Sequence, residues 1–238
     1  MKIAIIGYGK MGNEIHRLAM EKKHEVALII DKDDDISKHN FKGIDVAIEF
    51  SNPNEAIDNY FQLFEKNIPV VSGTTGWTDR YSEVAEFCKQ KNGAFFYASN
   101  FSIGVNLFFE INKTLARLLN NFPEYDVEVT EVHHINKIDA PSGTAKTIAE
   151  EIIKIFNRKK NWTIDSSTLD NEKLVITSIR EGDIFGTHIT TFDSDIDSIE
   201  LIHTAKSRRG FAQGAIMAAE FLKGKTGIFT MADLLKLY

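Results

Sequence analysis

The chain has 238 residues, 43% of them apolar and 26% charged, with a formal net charge of -6. That length accommodates one large domain or two modest ones, each with a real core, and the acidic balance excludes a general nucleic-acid binder, which would carry a basic excess. One cysteine, Cys88, rules out an intrachain disulfide and fits a reducing compartment. No run approaches the roughly 18 apolar residues of a membrane span, and "MKIAIIGYG" breaks on glycine too early for a signal peptide. In chain order, "KIAIIG" reads as a buried strand, followed by a helix over 12–21 and a second strand at "EVALII". "DVAIEF" is a third strand, with a helix over 53–66 behind it. "IPVVSG" is a fourth, with a helix over 79–90, and "AFFYAS" a fifth. Continuous apolar strands separated by helices predict a parallel sheet covered on both faces, the doubly wound α/β arrangement.

The pattern changes after Asn100. "SIGVNLFFEINKTLARLL" has helical spacing, "YDVEVTEVHH" is β-like, and a helix is predicted over 143–156. "KLVITSIR", "THITTF" and "SIELIHTA" then follow without helices between them, which predicts an open mixed sheet, mostly antiparallel. "REGDIFGTH" reads as a hairpin in which Asp183 and His188 pack rather than catalyse. The chain closes with helices over "GFAQGAIMAAEFLKG" and "MADLLKLY". The fold class is therefore α/β: a Rossmann-like doubly wound parallel sheet plus an α+β domain with an open sheet. The division runs 1–104 with 209–238, against 105–208. Arg208 and Arg209 fall at the return, where they are a basic turn or partners of carboxylates.

Gly7, Tyr8, Gly9, Lys10, Met11 and Gly12 form a G-x-G-x-x-G directly after a strand and at the mouth of a helix. Glycine permits the tight turn, then close approach of a pyrophosphate, then helix-on-strand packing. Asp31 ends the second strand, where a carboxylate accepts from ribose hydroxyls and favours NAD, while Lys10 and Lys32 offer positive charge. Only "DKDDDISKHNFKG" joins the second and third strands, which is short for a crossover helix. Gly73, Thr74 and Thr75 follow the fourth strand and can present N–H and hydroxyl groups to a nicotinamide ribose, or simply cap a turn.

"EVHHINKIDAPSGTAK" holds the remaining chemistry. His133 and His134 are neighbours in an extended run and so face opposite ways. His133 and Lys137 share parity and would lie roughly 13 Å apart on a straight strand, unless the chain bends near Asn136. Pro141-Ser142-Gly143-Thr144 reads as a capped helix start, whose N–H groups suit a carboxylate. No metal is expected: there is no cysteine pair and no H-E-x-x-H, and adjacent histidines chelate poorly. On residue logic alone, an anionic-substrate site and an ordinary strand–turn–helix both stand.

The strings "GYGKMG", "SGTTGW", "ASNFSIGVN", "EVHHINKIDAPSGTA", "SIREGDIFGTH" and "SRRGFAQGA", in that order, span nearly the whole chain. In them the sequence resembles the 4-hydroxy-tetrahydrodipicolinate reductase (dihydrodipicolinate reductase) family of the diaminopimelate route to lysine. The resemblance implies an NADH- and/or NADPH-dependent oxidoreductase acting on a small dicarboxylate. It implies a cytoplasmic homotetramer built through the substrate-domain sheet, with no nucleic-acid or membrane partner. By position it makes His133 and Lys137 catalytic, with His134, Gly143 and Thr144 on the substrate carboxylate. The cofactor is lined by the glycine turn, Asp31, Lys32, Gly73, Thr74, Thr75, Ala98, Ser99, Asn100 and Phe101. Many members carry a polar or basic residue where this chain has Ile135. Another two-domain dehydrogenase and a non-catalytic NAD(H)-sensing regulator are the rival readings, and the 133–144 string discriminates against both.

Overall fold

The structure is a computed structural model that describes residues 1–32 and 34–237. It divides into two compact units: Met1–Ile103 together with the chain from Arg208 onward, and Gly104–Ser207.

In the first unit, strands β1 (Lys2–Ile6), β2 (Glu25–Ile30), β3 (Val46–Glu49), β4 (Val70–Ser72) and β5 (Ala94–Tyr97) alternate with helices α1 (Lys10–Glu21), α2 (Pro53–Glu65) and α3 (Tyr81–Gln90). A further strand, β11 (Gly227–Phe229), extends the sheet beside β5, and all six strands are parallel in the order β11-β5-β4-β3-β1-β2. Alternation along β1 explains the layering. Ile3 and Ile5 enter one core with Ile15 and Leu18 of α1 and with α6 (Arg209–Leu222). Ala4 and Ile6 enter the other, with Tyr60 and Phe64 of α2 and Val84 and Cys88 of α3. Strand order reverses between β1 and β3, the switch point at which such sheets bind ligands. Among the described residues the β2–β3 connection carries only a short turn of helix, at Ile36–Lys38, in keeping with its length.

The second unit joins α4 (Ile103–Leu119), β6 (Asp126–His133), α5 (Gly143–Ile153), β7 (Asn161–Thr163), β8 (Lys173–Arg180), β9 (Thr187–Asp193) and β10 (Ser198–Thr204). Helix α7 (Met231–Leu235) closes the chain in the first unit. The second sheet has the order β10-β9-β6-β8-β7. It is mixed, as expected, but not mostly antiparallel: β10–β9 and β9–β6 are antiparallel, whereas β6–β8 and β8–β7 are parallel. The path from β6 through α5 and β7 is long enough to return β8 parallel to β6.

The predicted hairpin at 180–188 is also corrected. β6 lies between β8 and β9, so the connector 181–186 crosses over the end of β6. Two strand spacings, roughly 10 Å, are well within reach of such a connector. The crossing is anchored by Glu181 N–H to the His133 carbonyl (2.8 Å), His134 N–H to the Ile184 carbonyl (2.8 Å) and Ile135 N–H to the Gly182 carbonyl (3.2 Å). Val127 and Val129 of β6 pack with Ile148 and Ile152 of α5 and with Leu174, Ile176 and Phe192. The opposite sheet face presents the alternate residues, including Glu128, Thr130 and Ile202.

Candidate active site

Strand parity collects the polar groups of the second unit. Glu131 and His133 share the helix-covered face of β6 with Val127 and Val129, two residues apart at each step. Across the sheet Glu131 pairs with His188 on β9 and Ser178 on β8, and His133 pairs with Arg180. One row thus reads His188–Glu131–Ser178, and the next places Arg180 beside His133.

Glu131 is fully buried. Its carboxylate accepts from Ser142 N–H at 3.0 and 3.1 Å, from Ser178 Oγ at 2.8 Å and from Arg180 Nη2 at 3.0 Å. Burial alone would raise this carboxyl, but the hydrogen bonds from Ser142, Ser178 and Arg180 outweigh it and hold the group below its ordinary range. His133 Nδ1 lies 3.4 Å from Glu131 Oε2, within ion-pair distance but without hydrogen-bond alignment. Burial lowers the His133 pKa, Lys137 and Arg180 lower it further, and Glu131 and Asp139 oppose them. His188 is held neutral, its pKa pushed down to about 3 by burial and then by His133.

Glu131, His133 and His188 bring one donor atom each within 4.8 Å of one another, the spacing of a metal site. A cation there would face the Arg180 guanidinium, which already occupies one carboxylate oxygen. The donor set therefore suits an internal ion pair better than a metal.

The strand ends at His133, and the chain turns at once: Lys137 N–H donates to the His134 carbonyl at 3.1 Å. The extended spacing between His133 and Lys137 does not arise. Lys137 Nζ donates to Asp139 Oδ1 at 2.6 Å, and His134 is half-buried. Helix α5 starts as the sequence predicts, with Ser142 Oγ accepting from Ala145 N–H at 3.1 Å. A side chain at Gly143 would meet nothing within 4 Å, so the space at that helix start is open. His133, Lys137 and the α5 start are therefore gathered on one unit. Glu131, Arg180 and Ser178 escape a reading based on the histidine pair. Their signal is parity, since Glu131 stands two residues before His133 on a strand.

In the first unit Gly7 has φ +86°, and a Cβ there would lie 2.3 Å from the Phe50 carbonyl. A Cβ at Gly12 would lie 2.2 Å from the Gly7 carbonyl. Both glycines are demanded by backbone contact. At Gly9 a Cβ would meet nothing within 4 Å, and no side chain caps α1. The turn thus offers an open cradle at a helix start, the fit a pyrophosphate requires. Lys10 and Met11 open α1, and the Tyr8 hydroxyl bonds His16 Nδ1 at 2.6 Å. A cavity of about 210 Å³ is lined by Gly7, Gly9, Asp31, Lys32, Asp34 and Ser51 among others. Asp31 Oδ1 accepts from Tyr8 N–H at 3.1 Å.

Not every predicted lining residue faces outward. The Thr74 hydroxyl is turned inward: it donates to the buried Glu49 at 2.8 Å and accepts from Ser51 N–H at 2.9 Å. Phe101 is a core side chain against Phe50 and Phe96, and Ala98 is buried. Gly73 packs against the Phe50 ring, whereas Thr75 and Ser99 are exposed and Asn100 is half-buried, its Oδ1 accepting from Ser102 N–H at 2.9 Å.

Residues 1–101 match the family model "Dihydrodipicolinate reductase, N-terminus" and residues 104–235 match "Dihydrodipicolinate reductase, C-terminus". The chain is 48% identical over 237 residues to a 4-hydroxy-tetrahydrodipicolinate reductase of Christiangramia forsetii, covering 99% of this chain and 98% of the relative. It is 38% identical over 199 residues to one of Neisseria meningitidis, covering 81% and 73%. Among solved structures it is similar to a dipicolinate-bound dihydrodipicolinate reductase from Paenisporosarcina sp. TG-14, with TM-score 0.77, 23% identity and 97% of each chain covered. It also shares its fold with an aspartate semialdehyde dehydrogenase II from Vibrio cholerae, with TM-score 0.53, 13% identity, and coverage of 93% and 97%.

Proposed function

The chain belongs to the dihydrodipicolinate reductase family, and from that premise we propose which of its residues carry the family's reaction. That reaction is the NAD(P)H-dependent reduction of 4-hydroxy-tetrahydrodipicolinate to tetrahydrodipicolinate, in which the 4-hydroxyl leaves as water to give a conjugated C=N/C=C system that then takes a hydride at C4 and a proton at the neighbouring carbon. The two rival readings, another dehydrogenase and a non-catalytic regulator, gain no support from the two curated relatives described above. Bound reduced nicotinamide supplies the hydride that goes to C4 of the substrate ring.

The observation that carries the assignment is the buried polar row at the end of β6, beside the open start of α5. His133 or Lys137 delivers the proton needed at the neighbouring carbon. In the free protein the lowered His133 pKa leaves the imidazole mostly uncharged near neutral pH. A dianionic substrate favours the charged form, so proton uptake accompanies substrate arrival. Lys137, His134 and the start of α5 at Gly143 and Thr144 take the carboxylates. The glycine turn from Gly7 to Gly12 holds the pyrophosphate. Asp31 takes ribose hydroxyls, and the loops at 73–75 and 98–101 flank the nicotinamide through backbone and exposed groups.

The protein acts as a cytoplasmic homotetramer. The support is the uncovered face of the second sheet, where Ile202 and Ile179 stand 58% and 41% exposed. Light scattering on the purified protein measures the subunit number directly, and a monomer or a dimer would refute the tetramer.

His133→Gln and Lys137→Ala test the site. Each is expected to cut turnover by about a hundredfold or more, with the dissociation constant for NADH unchanged. The assay follows reduced-nicotinamide absorbance with substrate generated in place by the preceding synthase. Near-normal turnover in both variants would end the assignment.

A further inference from the structure

We infer that Glu131 is a positioning residue for this reaction: one buried carboxylate sets the His133 imidazole, the start of α5 and the loop bearing Lys137 in a single frame. The inference rests on the reading of His133 as the acid/base group.

Three segments converge on the carboxylate. Ser142 N–H, just before the first turn of α5, bonds both oxygens. Arg180 Nη2 bonds Oε1 and also the Asp139 carbonyl, at 2.6 Å, so the guanidinium carries the hold out to the loop that contains Lys137. His133 Nδ1 stands 3.4 Å from Oε2. On the other side of the ring, the Gly186 backbone approaches so closely that a Cβ there would lie 2.9 Å from His133 Nε2. The imidazole is thus held between a carboxylate and a glycine. His188 seals the row from β9, its Nε2 3.3 Å from Ser142 Oγ.

Charge points the same way. The ionisable groups facing His133 are Glu131 on its own strand, Lys137 and Asp139 on the turn, Arg180 on β8 and the neutral His188 on β9. Asp139 is engaged by Lys137 at 2.6 Å. Glu131 is therefore the buried anion that offsets Arg180 and favours the imidazolium. A scaffold carboxylate would still shift the His133 midpoint through its charge but would leave the pH profile of kcat/KM where it is, so the two roles separate when that profile is compared with the titration.

The test is the pH dependence of kcat/KM together with NMR titration of the full-length protein carrying labelled histidine, with the His133 signal assigned through His133→Gln. Glu131→Gln is expected to move the His133 midpoint, and the kcat/KM profile with it, down by about one pH unit. It should lower kcat about tenfold while leaving NADH binding unchanged. Glu131→Asp, which retains the charge, should keep the midpoint within about half a unit of wild type. A midpoint or a profile that stays within about 0.2 unit in Glu131→Gln overturns the inference. If that variant does not fold, Ser178→Ala decides. It removes one neutral donor from Oε1 and concentrates the charge on the carboxylate, so the midpoint should rise by about 0.3 unit, and no rise overturns the inference. Failure of the underlying reading looks different: His133→Gln would then keep its turnover while the Glu131 variants still shifted the histidine titration.

Discussion

The imidazoles of His133 and His188 meet edge to face, with ring centroids 5.1 Å apart at an interplanar angle of 74°. Two histidines cannot both be charged at that distance in a buried row, and the sheet settles the matter by burying His188 more deeply. His188 protonates in the folded state only near pH 3, against an ordinary value of 6.5. Between those values the unfolded chain binds the extra proton. Stability from this group is therefore complete above pH 6.5 and is lost as pH falls toward 3. The loss has an upper bound on the order of 5 kcal/mol. Glu131 adds to it in the same direction at lower pH, since its lowered pKa gives stability that disappears as the carboxylate is protonated. Hydrogen exchange of β9 amides at pH 7, 5.5 and 4 should show progressive loss of protection, and His188→Phe should flatten the upper part of that dependence. Equal pH dependence in both proteins would refute the assignment to His188.

Helix α6 contains a contrast between two glycines. A Cβ at Gly214 would lie 1.8 Å from the Phe101 carbonyl, which is backbone and cannot rotate away. A Cβ at Gly210 would meet only Ser102 Oγ, at 4.0 Å. Gly214→Ala is expected to destabilise the first unit by about 3 kcal/mol. Gly210→Ala should be neutral or stabilising by up to about 1 kcal/mol, the ordinary helix preference for alanine. Thermal unfolding of the two variants checks this, and equal melting temperatures would contradict the packing described.

What could be read beforehand follows from which interactions are local. The five apolar strands, the glycine turn and the Ser142 cap each depend on residues adjacent in sequence, and all appear where the pattern places them. β7 and β11 escape such a reading because each has three residues and exists only through a neighbour strand. The crossing of 181–186 over β6 was hidden for a related reason: a short strand-to-strand link looks like a hairpin until a third strand claims the gap between them. Thr74 shows the same limit at the level of one hydroxyl. Its position after β4 was legible, but the buried Glu49 that captures its side chain lies on another strand.

Cofactor preference is expected to favour NADH. Asp31 is fixed by Tyr8 N–H, and Asp34 and Glu55 join it in lining the same cavity, against Lys32 among the described residues. A 2′-phosphate placed there meets more negative than positive charge. Side-by-side kcat/KM values should favour NADH by about tenfold or more, which corresponds to about 1.4 kcal/mol. Asp31→Ser should narrow the ratio mainly by improving NADPH. A wild-type preference for NADPH would show that the lining carboxylates do not govern the choice.

Glu49 is the second buried anion, and its surroundings differ from those of Glu131. No cation is recorded against it among the described residues. Instead it accepts from Ser51 N–H, Ser72 Oγ, Thr74 Oγ1 and the Tyr60 hydroxyl at 2.9, 2.7, 2.8 and 3.2 Å, and also from the Ser51 hydroxyl. Burial and the Glu49 charge push the Tyr60 phenol up, so it stays protonated and available as a donor. The carboxylate thereby ties the ends of β3 and β4 together, beneath the loops that border the cavity at Ser51. Glu49→Gln replaces one acceptor oxygen with an amide that points hydrogens at existing donors. The expected cost is about 1–3 kcal/mol, because buried donors are left unpaired. Tyr60→Phe removes a single donor and should cost nearer 1 kcal/mol. The loops should loosen only in the first case, weakening NADH about fivefold by fluorescence titration while Tyr60→Phe binds normally. If Glu49→Gln bound NADH as tightly as wild type, the carboxylate would be confined to stabilising the sheet, with no hold on the cofactor loops.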